Sequence, residues 1–277
     1  MHQKIKSVAI VGCGWLGMAL AKSLVAQQVN VKATTTRVDK ITSLAKLGIT
    51  AELLVLPNNE QVLENHSVFQ QQQLVIAITP QLKYGKKDYA KKIANLIKIA
   101  EKKAVEKIIL ISTTGVYRGL SGEITEETPL KQTEAKVAAL VAGEQAVLAS
   151  SLKSTIIRFA GLVGEDRHPG RFLAGKTQLS NANERVNLIH QQDAVAMLLA
   201  VLTHSKVTGI FNGVSNTATT RKHFYQQAAK ALQLTPPEFK EELKPSTKFI
   251  SAKKIQDKLA LRLVYPDLMA WLISTKN

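Results

Sequence analysis

The sequence predicts an α/β fold, a doubly wound parallel sheet followed by a small C-terminal lobe. Two observations predict it. Short apolar runs, composed like strands buried on both faces, alternate with helical stretches as far as residue 159, the rhythm of βαβ units with right-handed crossovers. A glycine-punctuated turn, Gly12-Cys13-Gly14-Trp15-Leu16-Gly17, joins the first run to the first helical stretch.

Residues 7–11 read as a strand and 16–26 as the helix after it; Gly12, Gly14, Gly17 and Lys22 interrupt the run too often for a secretory leader. A second strand is expected at 29–34, a short helix at 39–47 and a third strand at 51–56. Leu-Val-Ile-Ala-Ile-Thr at 74–79, closed by Pro80, reads as a strand buried on both faces. Eight lysines lie between 86 and 107, but Ile93, Leu96, Ile97 and Ala100 recur among them at helical spacing. That stretch is an amphipathic helix with its lysines on the wet face. Strands at 107–112 and 154–159 flank a helix at 133–150. Beyond Gly161 the rhythm loosens. Residues 164–187 are polar and glycine-containing, like a loop lining a site. A helix at 194–202, a strand at 209–214 and helices at 221–232 and 252–259 complete the chain.

Composition narrows the function classes. Of 277 residues, 45% are hydrophobic and 21% charged, a globular balance. No apolar run reaches the ~18 residues of a membrane span. Lys+Arg number 37 against 21 Asp+Glu, a net charge of +16, which suits an anionic partner. Aromatic residues are only 5%, and nothing resembles a helix-turn-helix, a zinc finger or an aromatic RNA-binding strand, so the excess reads as a solvated surface rather than a nucleic-acid interface. The one cysteine, Cys13, excludes an internal disulfide and fits a reducing compartment. The expectation is a soluble cytoplasmic protein with a small-molecule partner and neither nucleic acid nor membrane.

The glycine turn matches G-x-G-x-x-G in the context that gives it meaning, after a strand and opening a helix. One glycine serves the tight turn, one the approach of backbone to a pyrophosphate, one the contact of helix with strand. The helix end then offers N–H groups to the phosphates. Residues 1–165 are thus expected to form a Rossmann-type dinucleotide-binding domain. Residues 166–277 would be mainly a substrate-binding lobe, interleaved with the last strands and helices of the sheet. NAD sites carry an acidic residue about twenty residues on, for the ribose 2′-hydroxyl; residues 18–38 contain none, and the second strand ends in Thr34-Thr35-Thr36-Arg37. Hydroxyls and a guanidinium suit the 2′-phosphate of NADP, with NAD as the alternative if Arg37 is an ordinary loop arginine beside Asp39. The expected cofactor contacts are Gly12, Gly14, Trp15, Leu16, Gly17, Thr35, Arg37 and Thr79.

Gly170-Arg171-Phe172-Leu173-Ala174-Gly175-Lys176-Thr177 also satisfies the P-loop pattern. A P-loop joins a strand directly to a helix, whereas the nearest expected strand ends near residue 160 and 178–186 lacks a helical apolar stripe. The segment fits better as a basic substrate loop carrying Arg167, His168 and Arg171. The histidines are scattered without metal-ligand spacing, and His190, after Leu188-Ile189, reads as a core histidine.

A resemblance now covers nearly the whole chain. The glycine turn, Ser112-Thr113-Thr114-Gly115-Val116-Tyr117, Glu127-Thr128-Pro129, Arg158-Phe159-Ala160-Gly161-Leu162-Val163-Gly164, Asn187-Leu188-Ile189-His190 with Asp193, and Phe211-Asn212-Gly213-Val214 stand in that order. Together they resemble the epimerase/dehydratase branch of the extended short-chain dehydrogenase/reductase superfamily. An atypical bacterial, epimerase-like subgroup shares the Arg-His-Pro-Gly-Arg-Phe stretch at 167–172. The resemblance implies an NAD(P)-dependent oxidoreductase or epimerase using a Ser/Thr, a Tyr and a Lys, and a homodimer through the helices matching 84–103 and 133–150. Thr113 fits the Ser/Thr position. Anchored on Glu144, the tyrosine position falls at Lys136 and the lysine position at Leu140, so the Tyr-x-x-x-Lys pair is missing. Tyr117 and Lys136 are the substitute proton donors; the competing readings are a pocket-wall tyrosine and a solvated helix lysine. General acid–base help is worth ~10²- to 10⁴-fold, so hydride transfer survives its loss if another group donates. A small anionic substrate such as a nucleotide sugar is the leading expectation. A dinucleotide-binding redox sensor or partner-binding protein without turnover is the alternative.

Overall fold

The computed structural model describes residues 5–81, 84–241 and 248–274. In chain order the elements are β1 (Ser7–Val11), α1 (Trp15–Ala26), β2 (Asn30–Thr35), α2 (Asp39–Ala45), β3 (Thr50–Leu53), α3 (Glu60–Asn65), β4 (Gln73–Ile76), α4 (Tyr89–Lys102) and β5 (Lys107–Thr113). There follow β6 (Glu123–Ile124), α5 (Ala135–Leu148), β7 (Lys153–Phe159), β8 (Gly161–Val163), α6 (Gly170–Leu173), β9 (Leu188–His190), α7 (Gln191–Thr203) and β10 (Gly209–Gly213). The described chain closes with α8 (Arg221–Ala231), β11 (Phe249–Ile250), α9 (Lys253–Leu259) and α10 (Leu268–Ser274). The expected doubly wound sheet is present: seven parallel strands in the order β10-β7-β5-β4-β1-β2-β3, flanked by helices. The order reverses between β1 and β4, the switch point where open α/β sheets bind ligands outside the strands' carboxyl ends.

Two compact units divide the chain. One comprises Met1–Val116, Lys131–Arg158 and Val195–Phe211; the other comprises Tyr117–Leu130, Phe159–Ala194 and Asn212–Asn277. In the second unit, β6 pairs with β11 and β8 with β9. Its core gathers Val163, Leu188, Phe224, Leu268, Trp271 and Leu272.

Several elements differ from the sequence's suggestion. The apolar run at 74–79 is strand only to Ile76: Ala77 N–H still donates to Val11 O (2.8 Å), then β1 turns away at Gly12 and the ladder on that side ends. Lys107, grouped with the wet-face lysines, is buried at the start of β5. Its ammonium donates to the carbonyls of Val201 (2.7 Å) and His204 (2.9 Å) at the end of α7, and burial pushes its pKa down to about 8. Helix α3 was missed although Asn59 caps it, Oδ1 accepting from Val62 N–H at 2.8 Å. Helix α10, likewise missed, starts beside Asp267, whose carboxylate accepts from Met269 N–H at 2.9 Å.

Candidate functional site

Three glycines build the turn after β1, each with different surroundings. Gly12 sits at φ +97°, and a Cβ there would stand 3.0 Å from the carbonyl carbon and oxygen of Ala77; only glycine suits both the backbone and the contact. A Cβ on Gly17 would lie 2.9 Å from Gly12 O and 3.3 Å from Ile10 Cγ2, so this glycine lets α1 approach β1. Gly14, at φ −83°, is the opposite case, since a Cβ there would meet nothing within 4 Å. Its bare face is the open one, which is what the close approach of a diphosphate requires.

Hydrogen bonds hold the turn from β2. Thr34 Oγ1 accepts from Gly12 N–H (3.1 Å) and Thr34 O from Cys13 N–H (2.8 Å). No side chain caps α1 and its first turn holds no acidic residue, so the helix end offers N–H groups and partial positive charge to an anion. Burial pushes the Cys13 thiol up to about 11, which keeps it neutral.

The turn opens into a cavity of about 440 Å³ lined by the ends of β2, β3 and β4 and the start of α4, a volume within the range of small-molecule sites. Leu54, Val55 and Leu56 form an apolar wall, and the charged residues lining it are all cations: Arg37, Lys40, Lys86 and Lys92. Of the expected cofactor contacts, Gly12, Gly14, Thr35, Arg37 and Thr79 line this cleft, while Trp15, Leu16 and Gly17 form the first turn of α1. Thr35 Oγ1 accepts from Arg37 N–H (3.2 Å) and so shapes the exit from β2. The exposed Arg37 guanidinium pairs with Asp39, Nε donating to Oδ1 at 3.0 Å, and holds that carboxyl below the usual range. Sequence reasoning missed Lys40, Lys86 and Lys92 as cleft residues: Lys86 and Lys92 sit in a lysine-rich stretch that needs no ligand to explain it, and Lys40 reads as an ordinary helix lysine.

A family described as NAD(P)H-binding matches residues 12–205, a span that starts on the glycine turn. The chain belongs to the NAD(P)H-binding family. It is 34% identical over 272 residues to protein YeeZ of Escherichia coli strain K12, covering 95% of this chain and 97% of that one. Its fold resembles a short-chain dehydrogenase/reductase superfamily protein from Agrobacterium tumefaciens with bound NAD, at TM-score 0.74 and 16% identity, covering 98% of this chain and 96% of that one. It also resembles UDP-N-acetylglucosamine 4-epimerase from Bacillus cereus, at TM-score 0.75 and 17% identity, covering 99% and 98%. The fold is that of NAD(P)-binding, epimerase-like proteins.

In this NAD(P)H-binding chain Thr113 ends β5, and its Oγ1 accepts from Gly115 N–H at 3.1 Å. Lys136 lies exposed in the first turn of α5. One and two turns further along the same face stand Leu140 and Glu144. Leu140 Cδ1 flanks Gly115, 3.8 Å from where a Cβ would be, and Glu144 Oε1 accepts from Ser112 Oγ at 2.5 Å. Arg158 completes a buried cluster, Nη2 donating to Glu144 Oε2 at 2.7 Å. This cluster clamps α5 to β5, beside Thr113.

In the second unit, Tyr117 is fully buried and its hydroxyl donates to Asn212 Oδ1 at 2.8 Å. Asn212 N–H in turn donates to Glu126 Oε1 (2.6 Å), whose carboxyl burial pushes up. For Tyr117, expected as a substitute proton donor, the structure shows a hydroxyl without exposure whose proton is directed to Asn212. His168 also changes standing. It is buried, Nδ1 accepts from Gly170 N–H (3.1 Å), and burial with the nearby Arg171 charge pushes its pKa down. Its ring lies tilted against that of Trp271, centroids 5.5 Å apart, so it packs within this unit. Arg167 and Arg171 are exposed. His190 is a core histidine, 4.1 Å from the Tyr265 ring and 5.0 Å from Trp271. The P-loop-like segment holds only the short α6. A Cβ on Gly170 would fall 2.2 Å from Ala228 O, and Lys176 Nζ donates to Phe172 O (3.0 Å), so both pattern residues serve packing. Among the described residues no group of three or more His, Cys, Asp or Glu is placed to hold a metal, and no helix is long and apolar enough to cross a membrane.

Proposed function

We propose that this chain is an NADP-using oxidoreductase of epimerase/dehydratase type acting on a small anionic metabolite such as a nucleotide sugar. One observation carries the cofactor choice: among the described residues, the charged ones that line the cleft are cations, with no carboxylate among them. An NAD site places a carboxylate at the ribose 2′-hydroxyl, where it would repel a 2′-phosphate. Here the corresponding stretch offers Thr35, Thr36, Arg37 and Lys40. Asp39 competes for Arg37 only through a solvent-exposed pair, which contributes little. The Gly12–Gly14 turn and the first turn of α1 would hold the diphosphate. The coenzyme, when bound, supplies the hydride chemistry; the remaining work falls to side chains.

Thr113 Oγ1 already accepts the Gly115 N–H, which leaves its own O–H to donate to a substrate oxygen. Lys136 shares a face of α5 with Leu140 and Glu144, both seated against the end of β5. That supports Lys136 as the group that gives the substrate oxygen a proton, or holds its developing negative charge. Within the second unit, the exposed Arg167 and Arg171 are cations open to an anionic group. A non-catalytic dinucleotide sensor is the second reading, favoured by the buried Tyr117 and by an apolar Leu140 at the family's lysine position.

Titration calorimetry of wild type and Arg37→Ala tests the cofactor assignment. Arg37→Ala is expected to weaken NADPH by about tenfold and NADH by less than about twofold. Equal loss for both would refute the 2′-phosphate assignment. Conversion of a panel of nucleotide sugars in the presence of NADP⁺ or NADPH, read on the sugar product and abolished in Thr113→Ala and Lys136→Ala, separates enzyme from sensor.

A further inference from the structure

We propose that Lys92 is a specificity-determining residue, its ammonium contacting the 2′-phosphate that distinguishes NADPH from NADH; the inference rests on the NADP reading above. The lysines of α4 sort by what surrounds them. Lys98 bonds Glu60 (2.7 Å), and Lys102 bonds Glu60 (2.5 Å) and Glu64 (2.6 Å), all across to α3. Lys91 is exposed to solvent. Lys92 does neither.

Lys92 stands one turn before Leu96 and two before Ala100, both fully buried, so helical periodicity reserves its position for the apolar face. Its side chain is only 12% exposed, and the residue lines the cleft. An ammonium covered at an apolar position loses hydration, and the Asp88 carboxylate replaces part of it. Departures from local pattern of this kind mark functional sites. Asp88, four residues earlier on the chain, meets Lys92 Nζ at 3.0 Å. That carboxylate fixes the ammonium's direction and leaves its remaining N–H groups to donate. Arg37 and Lys40 enter the cleft from the β2 side, and Lys86 and Lys92 from the β4 side. Cations on two sides suit the extra phosphate of NADPH, whose charge adds to that of the diphosphate both coenzymes share.

The test is calorimetric titration of wild type, Lys92→Gln, Lys92→Arg and the exposed neighbour Lys91→Gln with NADPH, NADH, 2′,5′-ADP and 5′-AMP. Lys92→Gln is expected to weaken NADPH and 2′,5′-ADP by about tenfold while NADH and 5′-AMP change less than about twofold. Lys92→Arg should keep the discrimination, and Lys91→Gln should leave all four ligands unchanged. Equal weakening of all four would assign the ammonium to the shared 5′-phosphate and overturn the inference, as would no weakening at all. Should the glutamine variant fail to fold, Lys92→Met, which suits the apolar face, repeats the test with the same outcomes. Wild-type protein that binds NADH as tightly as NADPH overturns the NADP reading itself. Wild-type discrimination that survives in Lys92→Gln overturns only the role of Lys92.

Discussion

Replacing Gly14 by alanine should separate ligand binding from folding. The added methyl would meet nothing within 4 Å, and φ −83° is a conformation alanine adopts freely. Reduced freedom of the unfolded chain stabilises by about 0.4–1 kcal/mol, alanine is a poorer helix N-cap than glycine by about 0.5–1 kcal/mol, and the two offset to within about 1 kcal/mol. The same methyl occupies the face that a diphosphate must approach. Loss of two hydrogen bonds to a charged group, at about 1.5–3 kcal/mol each, weakens binding by ~100-fold or more. Gly17→Ala is the counter-case: its Cβ would fall 2.9 Å from Gly12 O, an overpacking of about 1–3 kcal/mol that acts on stability first. Thermal denaturation without ligand and calorimetric titration with NADPH read the two effects apart. A Gly14→Ala protein that melts like wild type and binds NADPH undiminished would refute the placement of the diphosphate at this turn.

Two further outcomes are expected. Glu144→Gln leaves buried Arg158 without its counter-charge and should destabilise by about 3–5 kcal/mol in urea denaturation; a loss under about 1 kcal/mol would show that the cluster does not clamp α5. His190 is kept neutral by burial, its pKa pushed down to about 4. The unfolded chain takes up that proton near its ordinary value, so stability is full above about pH 6.5 and falls between about pH 6.5 and 4, by up to about 3 kcal/mol. His168 acts in the same direction. His190→Phe should flatten the stability–pH profile over that window, and an unchanged slope would assign the acid sensitivity elsewhere.

The alternation of apolar runs and helical stretches was enough to read the doubly wound sheet, since a strand covered on both faces and a helix covered on one leave different periodicities. The glycine turn was legible too, because each glycine answers a demand of the backbone itself. The missed helices α3 and α10 were within reach, as their Asn59 and Asp267 caps are local signals. Tyr117, Lys107 and Lys92 were not. Tyr117 is buried by Asn212, far away in sequence; Lys107 by the end of α7; Lys92 by the cleft. Nothing within a few residues of Tyr117 or Lys107 records its partner, and Asp88 beside Lys92 does not reveal the cleft.

The sequence by itself determined the βαβ order, the strand–turn–helix that receives a dinucleotide, and the absence of an acidic residue after it, because these depend on residues adjacent along the chain. Tertiary structure decided which cations face the cleft, which histidines burial keeps from protonation and which tyrosine is buried. Desolvation and charge pairing depend on neighbours in space, and folding brings those together from distant parts of the chain.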